Sequence, residues 1–86
     1  MLIENEVVRV TEWRFEPGAS TGWHRHEFDY VVVPLVTGSL RLEEVESTRG
    51  IELTTGLPYF RSAGVEHDVV NANDYEFVFI ETEIKG

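Results

Sequence analysis

The chain has 86 residues, no cysteine, and a formal charge of −9 from 7 basic and 16 acidic side chains. That length accommodates one domain, residues 1 to 86, which buries roughly 60 to 65% of its unfolded surface. Without cysteine there is neither a disulfide nor a thiolate ligand, and the negative balance repels a phosphate backbone, so nucleic acid is excluded as a partner. Residues 1 to 6 carry no basic leader and no apolar run approaches the ~18 residues of a membrane span. The expectation is a soluble cytoplasmic protein with no membrane partner.

Short runs rich in Val, Ile, Tyr, Phe and Trp, separated by turn residues, predict strands rather than helices. In chain order the predicted strands are Val7 to Phe15, Thr21 to His26, Tyr30 to Leu35, Ser39 to Val45, Gly50 to Leu53, Pro58 to Arg61, His67 to Asn71 and Tyr75 to Ile84. Pro17-Gly18, Thr37-Gly38, Arg49-Gly50, Thr55-Gly56, Ala63-Gly64 and Asn73-Asp74 supply the turns between them. Eight short strands make an all-β sandwich or barrel. Leu40 and Leu42 fall on one face of their strand while Arg41 and Glu43 point the other way, which marks a half-buried wall.

Two runs break this alternation. Tyr30 to Val36 and Tyr75 to Ile80 are apolar on both faces, and a barrel of this size has one interior. The expectation is a homodimer that covers the second face; the alternative is that the strand Val7 to Phe15 covers it within one chain.

All three histidines fall into spaced patterns, His24-Arg25-His26 after Gly18, and His67 between Gly64 and Asn71. On a strand an i, i+2 pair shares one face, roughly 6.5 to 7 Å apart at the backbone. Three neutral imidazoles brought together form a metal site.

Gly18, His24, His26 and Gly38 resemble the first motif of the cupin family: Gly, five residues, His-x-His, three or four residues, Glu, six residues, Gly. Gly56, Gly64, His67 and Asn71 match the second, in which Ser62 replaces a proline. The phrase over residues 22 to 35 is similar to small bacterial cupins associated with β-alanine catabolism. The resemblance implies a double-stranded β-helix, or jelly-roll, barrel. It also implies a divalent transition metal ion (Fe, Mn, Ni, Zn or Cu) in the barrel mouth, held by His24, His26 and His67 and usually by one Glu.

That Glu is missing. Tyr30 and Val31 stand where the family carries it, and Tyr30 has the inward parity set by His24, His26 and Phe28. The count to Gly38 is one residue too long from Tyr30, which places a bulge near Pro34. Three neutral ligands leave a divalent ion its full +2 charge, a stronger Lewis acid that is less tightly held. The Tyr30 phenol is therefore the candidate catalytic group, a hydrogen-bond donor to a metal-bound water or substrate oxygen rather than a phenolate ligand.

Competing roles exist for each residue. The imidazoles could fill the barrel without metal, and Tyr30 and Phe28 could be core. Arg25 and Trp23 share outward parity, Arg61 is a candidate grip for an anionic ligand, Glu66 and Asp68 could orient His67, and Asp29 has the wrong parity for a ligand. Two functions follow. One is a metal-dependent enzyme acting on a small organic acid or oxygenated metabolite, with three-His dioxygenase chemistry implied by the resemblance and no general base beyond Tyr30 or an unmatched acid. The other is a non-catalytic small-molecule binder or sensor whose metal site has degenerated.

Overall fold

The computed structural model describes residues 1 to 85, and among them there is no helix. Nine strands run β1 Ile3–Glu4, β2 Val8–Phe15, β3 His24–Arg25, β4 Asp29–Pro34, β5 Gly38–Glu43, β6 Thr48–Leu53, β7 Tyr59–Arg61, β8 Glu66–Asn71 and β9 Phe77–Ile84. They form two antiparallel sheets, β1-β2-β9-β4-β7 and β3-β8-β5-β6. The all-β barrel agrees with the spacing of turns and β-branched runs, and its jelly-roll form with the family resemblance.

Period-two alternation builds the interior. Phe15, Tyr30, Val32, Phe77 and Phe79 from one sheet meet Leu40, Leu42, Leu53 and Val69 from the other. Phe15 and Phe79 meet edge to face at 5.6 Å, the arrangement that aromatic quadrupoles favour. Arg41 is exposed between buried Leu40 and Leu42, so β5 is the half-wet wall its pattern predicts.

Three predictions need correction. The segment 21 to 26 is strand over His24–Arg25 alone, because Gly22 turns the chain at a φ of 82° and leaves Ser20 bridged to Val70 by itself. No bulge occurs at Pro34: the β4–β9 register is unbroken from Asp29↔Ile84 to Pro34↔Phe79, and Leu35 N–H continues it to Val78 O. The irregularity lies instead between His26 and Asp29, where the chain leaves one sheet and enters the other. Finally, Val7 to Phe15 does not cover the second apolar face. β2 pairs with β9 in the same sheet and widens that face, with Val8 opposite Ile84 and Val10 opposite Thr82 on the side that also carries Ile80, Val31 and Val33.

β1 had no sequence signal beyond Asn5, whose Oδ1 accepts the N–H groups of Val7 and Val8 and closes the turn into β2.

Two motif residues turn out to be fold-makers. Asn71 is 1% exposed; its Nδ2 donates to Phe15 O and Tyr75 O, and its Oδ1 accepts from Asn73 N–H. It thereby ties the end of β2 in one sheet to β8 in the other. At Gly38 a Cβ would lie 2.6 Å from Tyr75 Oη and 2.7 Å from Asn73 Oδ1, so a side chain there would displace both groups.

Candidate metal centre

β3 and β8 pair with His24 directly opposite His67. Side chains opposite one another on paired strands share a face, and so do residues i and i+2, so the ladder brings His24, His26 and His67 to one side. His26 extends the same register beyond β3: its N–H donates to Val65 O and its carbonyl accepts from Gly64 N–H. Gly64 makes this close turn at a φ of 98°, a conformation side chains resist.

The result is a tripod. His24 Nε2 and His26 Nε2 are 3.0 Å apart, His26 Nε2 and His67 Nε2 are 3.2 Å apart, and one ligating nitrogen from each of the three lies within 4.8 Å of the others. Three nitrogens each ~2.1 Å from one ion stand about 3.0 to 3.4 Å apart for angles between a right angle and tetrahedral. The donor set fits a divalent ion.

Protonation agrees with this. His24 Nδ1 is 2.9 Å from Gly22 O. A carbonyl can only accept, so Nδ1 carries the proton and Nε2 offers its lone pair to the tripod. Burial, followed by the neighbouring imidazoles, pulls His26 down to about 4, and burial with His24 does the same to His67. Both are neutral near pH 7, as ligands must be. His67 Nδ1 is buried without a partner.

A cavity of about 250 Å³ opens onto His24 and His26, walled by Trp13, Thr21, Glu81 and Glu83. A smaller one of about 60 Å³ adjoins His67 and Tyr30 on the side of Arg49 and Arg61. The groove of about 370 Å³ along Ile51, Leu53, Leu57 and Tyr59 touches none of the imidazoles.

The chain as a whole has relatives. No protein-family model matches the chain. It is 60% identical over 83 residues to the β-alanine degradation protein BauB of Pseudomonas aeruginosa, a match covering 96% of this chain and 87% of that protein. A cupin domain from Bordetella pertussis Tohama I superposes with a TM-score of 0.97 at 59% identity, over 99% of this chain and 88% of that one. The chain is a cupin of the BauB family. A double-stranded β-helix protein from Klebsiella pneumoniae shares the fold at a TM-score of 0.79 and 17% identity, covering 99% of this chain and 73% of that one.

In this cupin Tyr30 points inward, 3% exposed, and lies flat on His26 with ring centroids 3.9 Å apart and planes 16° apart. Burial drives its phenol well above the ordinary tyrosine range. Phe28 is half-buried in the crossing between sheets, and Trp23 and Arg25 are exposed. Asp29 and Asp68 serve the backbone, accepting Ala63 N–H at 2.8 Å and Gly22 N–H at 3.1 Å, and Glu66 is exposed. Arg61 stacks its guanidinium 4.6 Å from the Tyr59 ring centre and forms none of the ion pairs among the described residues.

One residue of this wall went unnoticed in the sequence. Glu81 is 7% exposed, and burial, then the nearby Glu83, raise its carboxyl to about 7. The Trp13 indole N–H is near enough to oppose that rise without meeting hydrogen-bond geometry. The available signal was parity: Phe77, Phe79 and Glu81 alternate on one face of β9.

Proposed function

We propose that this cupin binds a divalent transition metal ion through His24, His26 and His67 and acts there on a small organic acid or oxygenated metabolite of β-alanine degradation. Three-His dioxygenase chemistry is the leading reaction. The observation that carries the reading is the tripod itself, with Nε2 atoms 3.0 and 3.2 Å apart and with His26 and His67 held neutral by burial. Fe, Mn, Ni, Zn and Cu all accept imidazole, so the donor set alone does not choose the ion. When bound, the ion supplies Lewis acidity toward ligand oxygens and, if redox-active, a place for oxygen to react.

The chain's own contributions are positional. Gly22 O fixes the His24 tautomer, Tyr30 holds the plane of His26, and the aromatic wall of Trp13 and Phe79 limits water beside the tripod. Tyr30, held as a neutral phenol, is the proposed hydrogen-bond donor to a bound oxygen atom. Arg61 beside the smaller cavity is a grip for a carboxylate. The relative's role in β-alanine degradation supports a three-carbon acid as ligand, either the amino acid or the oxo acid left when its amino group is removed.

A second reading has specific support. Tyr30 in place of Glu and Ser62 in place of proline both depart from the family's motifs, which favours a non-catalytic binder or sensor.

The outward face of Val31, Val33, Ile80 and exposed Leu35 supports a homodimer. We read the chain as a single cupin domain; among the described residues no helix is long and apolar enough to cross a membrane.

Elemental analysis of tag-free protein, repeated for His26→Ala, tests the metal: stoichiometric metal lost in the variant is expected, and metal content unaffected by the substitution refutes the site. Anaerobic Fe(II) loading followed by oxygen uptake with short oxo acids, β-alanine, diketones and thiols tests the chemistry. Turnover supports the enzyme, and binding without turnover for any metal leaves the sensor.

A further inference from the structure

A carboxylate on the inner wall of an apolar barrel lowers stability unless something compensates it. Glu81 is such a group. It continues the face of Phe77 and Phe79, is 7% exposed, and takes part in none of the ion pairs among the described residues. Of the two arginines on the same cavity, Arg9 is held by Glu4 at 2.9 Å and Glu83 at 3.5 Å, and Arg25 is exposed and forms none of the ion pairs among the described residues.

What Glu81 does face is the tripod. It borders the 250 Å³ cavity together with His24 and His26, and it borders the interior void that all three imidazoles and Tyr30 share. The register explains the placement. β4 and β9 are neighbours, with Tyr30 opposite Glu83 and Val32 opposite Glu81, so an inward acid stands one strand across from the strand where other cupins carry theirs. Glu81 is not in the set whose ligating atoms lie within 4.8 Å of one another. Glu81 thus borders the tripod without being one of its direct ligands.

We propose that Glu81 replaces, from the last strand, the negative charge that the first motif lacks, acting on the metal centre through a bound water or ligand oxygen instead of as a fourth direct ligand. The inference rests on the three-His metal reading. A divalent ion on three neutral imidazoles keeps its full charge inside a barrel of low polarity, and a carboxylate facing it across one oxygen lowers the cost of holding it there. The buried, unpartnered Trp13 Nε1–H borders the same void and offers a donor to that oxygen or to the carboxylate. Glu83 does not share the role, because Arg9 already engages it.

The test is competition of chelator-stripped protein against a chromophoric chelator for Zn(II). Glu81→Gln and Glu81→Leu, both close to glutamate in volume, are expected to weaken Zn(II) binding about ten- to a hundredfold, the range seen when groups behind the ligands are removed. Glu83→Gln should change it by less than about threefold, and His26→Ala should abolish tight binding. Tight wild-type binding that neither Glu81 variant weakens overturns this inference while the tripod stands. Wild-type protein that binds no Zn(II), or binds it equally well after His26→Ala, overturns the metal reading itself. Co(II)-loaded protein adds a second readout: the visible band keeps its intensity in Glu81→Gln if an oxygen intervenes, and a change of coordination number refutes the indirect arrangement.

Discussion

Tyr30 and His26 lie face to face, centroids 3.9 Å apart and planes 16° from parallel. The phenol, which we propose takes the place of the carboxylate of the first cupin motif, braces an imidazole. Its ring and its hydroxyl can be separated experimentally. Tyr30→Phe keeps the stack, so metal content should match wild type and stability should change by about 1 kcal/mol or less. Tyr30→Ala opens the core and frees the His26 ring, costing about 3 kcal/mol or more and lowering metal content. Urea unfolding and elemental analysis of both variants check this. If the hydroxyl donates to a bound ligand, Tyr30→Phe lowers turnover or ligand affinity with the metal still in place; equal loss of metal in both variants contradicts the division.

The wall groups give metal-free protein a particular pH profile. His26 and His67 titrate near 4 when folded against an ordinary 6.5, so their stabilisation is fully present above 6.5 and is lost as pH falls toward 4. Glu81 runs the other way. Its folded value near 7 stands above the ordinary 4.5, so folding favours the protonated acid, and stability drops as pH rises from 4.5 through 7. Two imidazoles outweigh one carboxyl, and the maximum falls near pH 6.5. Glu81→Gln should match wild type at pH 4.5 and exceed it by up to about 3 kcal/mol at pH 8. Urea melts at the two pH values decide; a pH-independent difference would show that Glu81 carries no such burden.

Asn71 predicts a fold defect distinct from a site defect. Its amide is 1% exposed and satisfies carbonyls of Phe15 and Tyr75. Asn71→Ala should cost about 2 to 4 kcal/mol by leaving them unpaired, and Asn71→Asp more, since a buried charge would face two carbonyls. Metal bound per folded molecule at low temperature should stay at the wild-type level. A selective loss of metal at unchanged stability would assign Asn71 to the site instead.

On the outer sheet, Ile80→Lys and Val33→Glu put a charge on the face proposed to join two copies. Sedimentation equilibrium should show a dimer for wild type and a monomer for either variant, with the barrel intact by circular dichroism. Wild-type protein that remains monomeric at tens of micromolar excludes the dimer.

Strand alternation, most turn glycines and the three histidines were legible because each depends on local periodicity or spacing; Arg49-Gly50, expected as a turn, instead lies within β6, and the chain reverses at Glu44 to Ser47. Tyr30 was placed correctly on the inner side, although the reasoning ran along one continuous strand and the chain in fact changes sheets between His26 and Asp29. Parity survived because both sheets face the same interior. The bulge assigned to Pro34 failed for the same reason: counting residues cannot locate an irregularity that tertiary pairing sets. Trp23, which shares Arg25's outward parity, is not core: it is 52% exposed beside a turn at Gly22 that local composition did not announce. Glu81 was missed because its run was read for apolar content, and an acid at the inward position looked like the strand's end.

β3 is two residues long and lies at the edge of its sheet, joined on one side to β8. It bears His24, and His26 follows directly. Two prongs of the tripod thus sit on or beside a short edge strand, facing His67 on β8, which is paired on both sides. An ion gripped by all three works as a clasp on that hem: part of its binding free energy goes into holding the edge closed. Amide exchange along residues 22 to 26 would then report metal occupancy before any global melting does, and the edge would open first whenever the ion leaves.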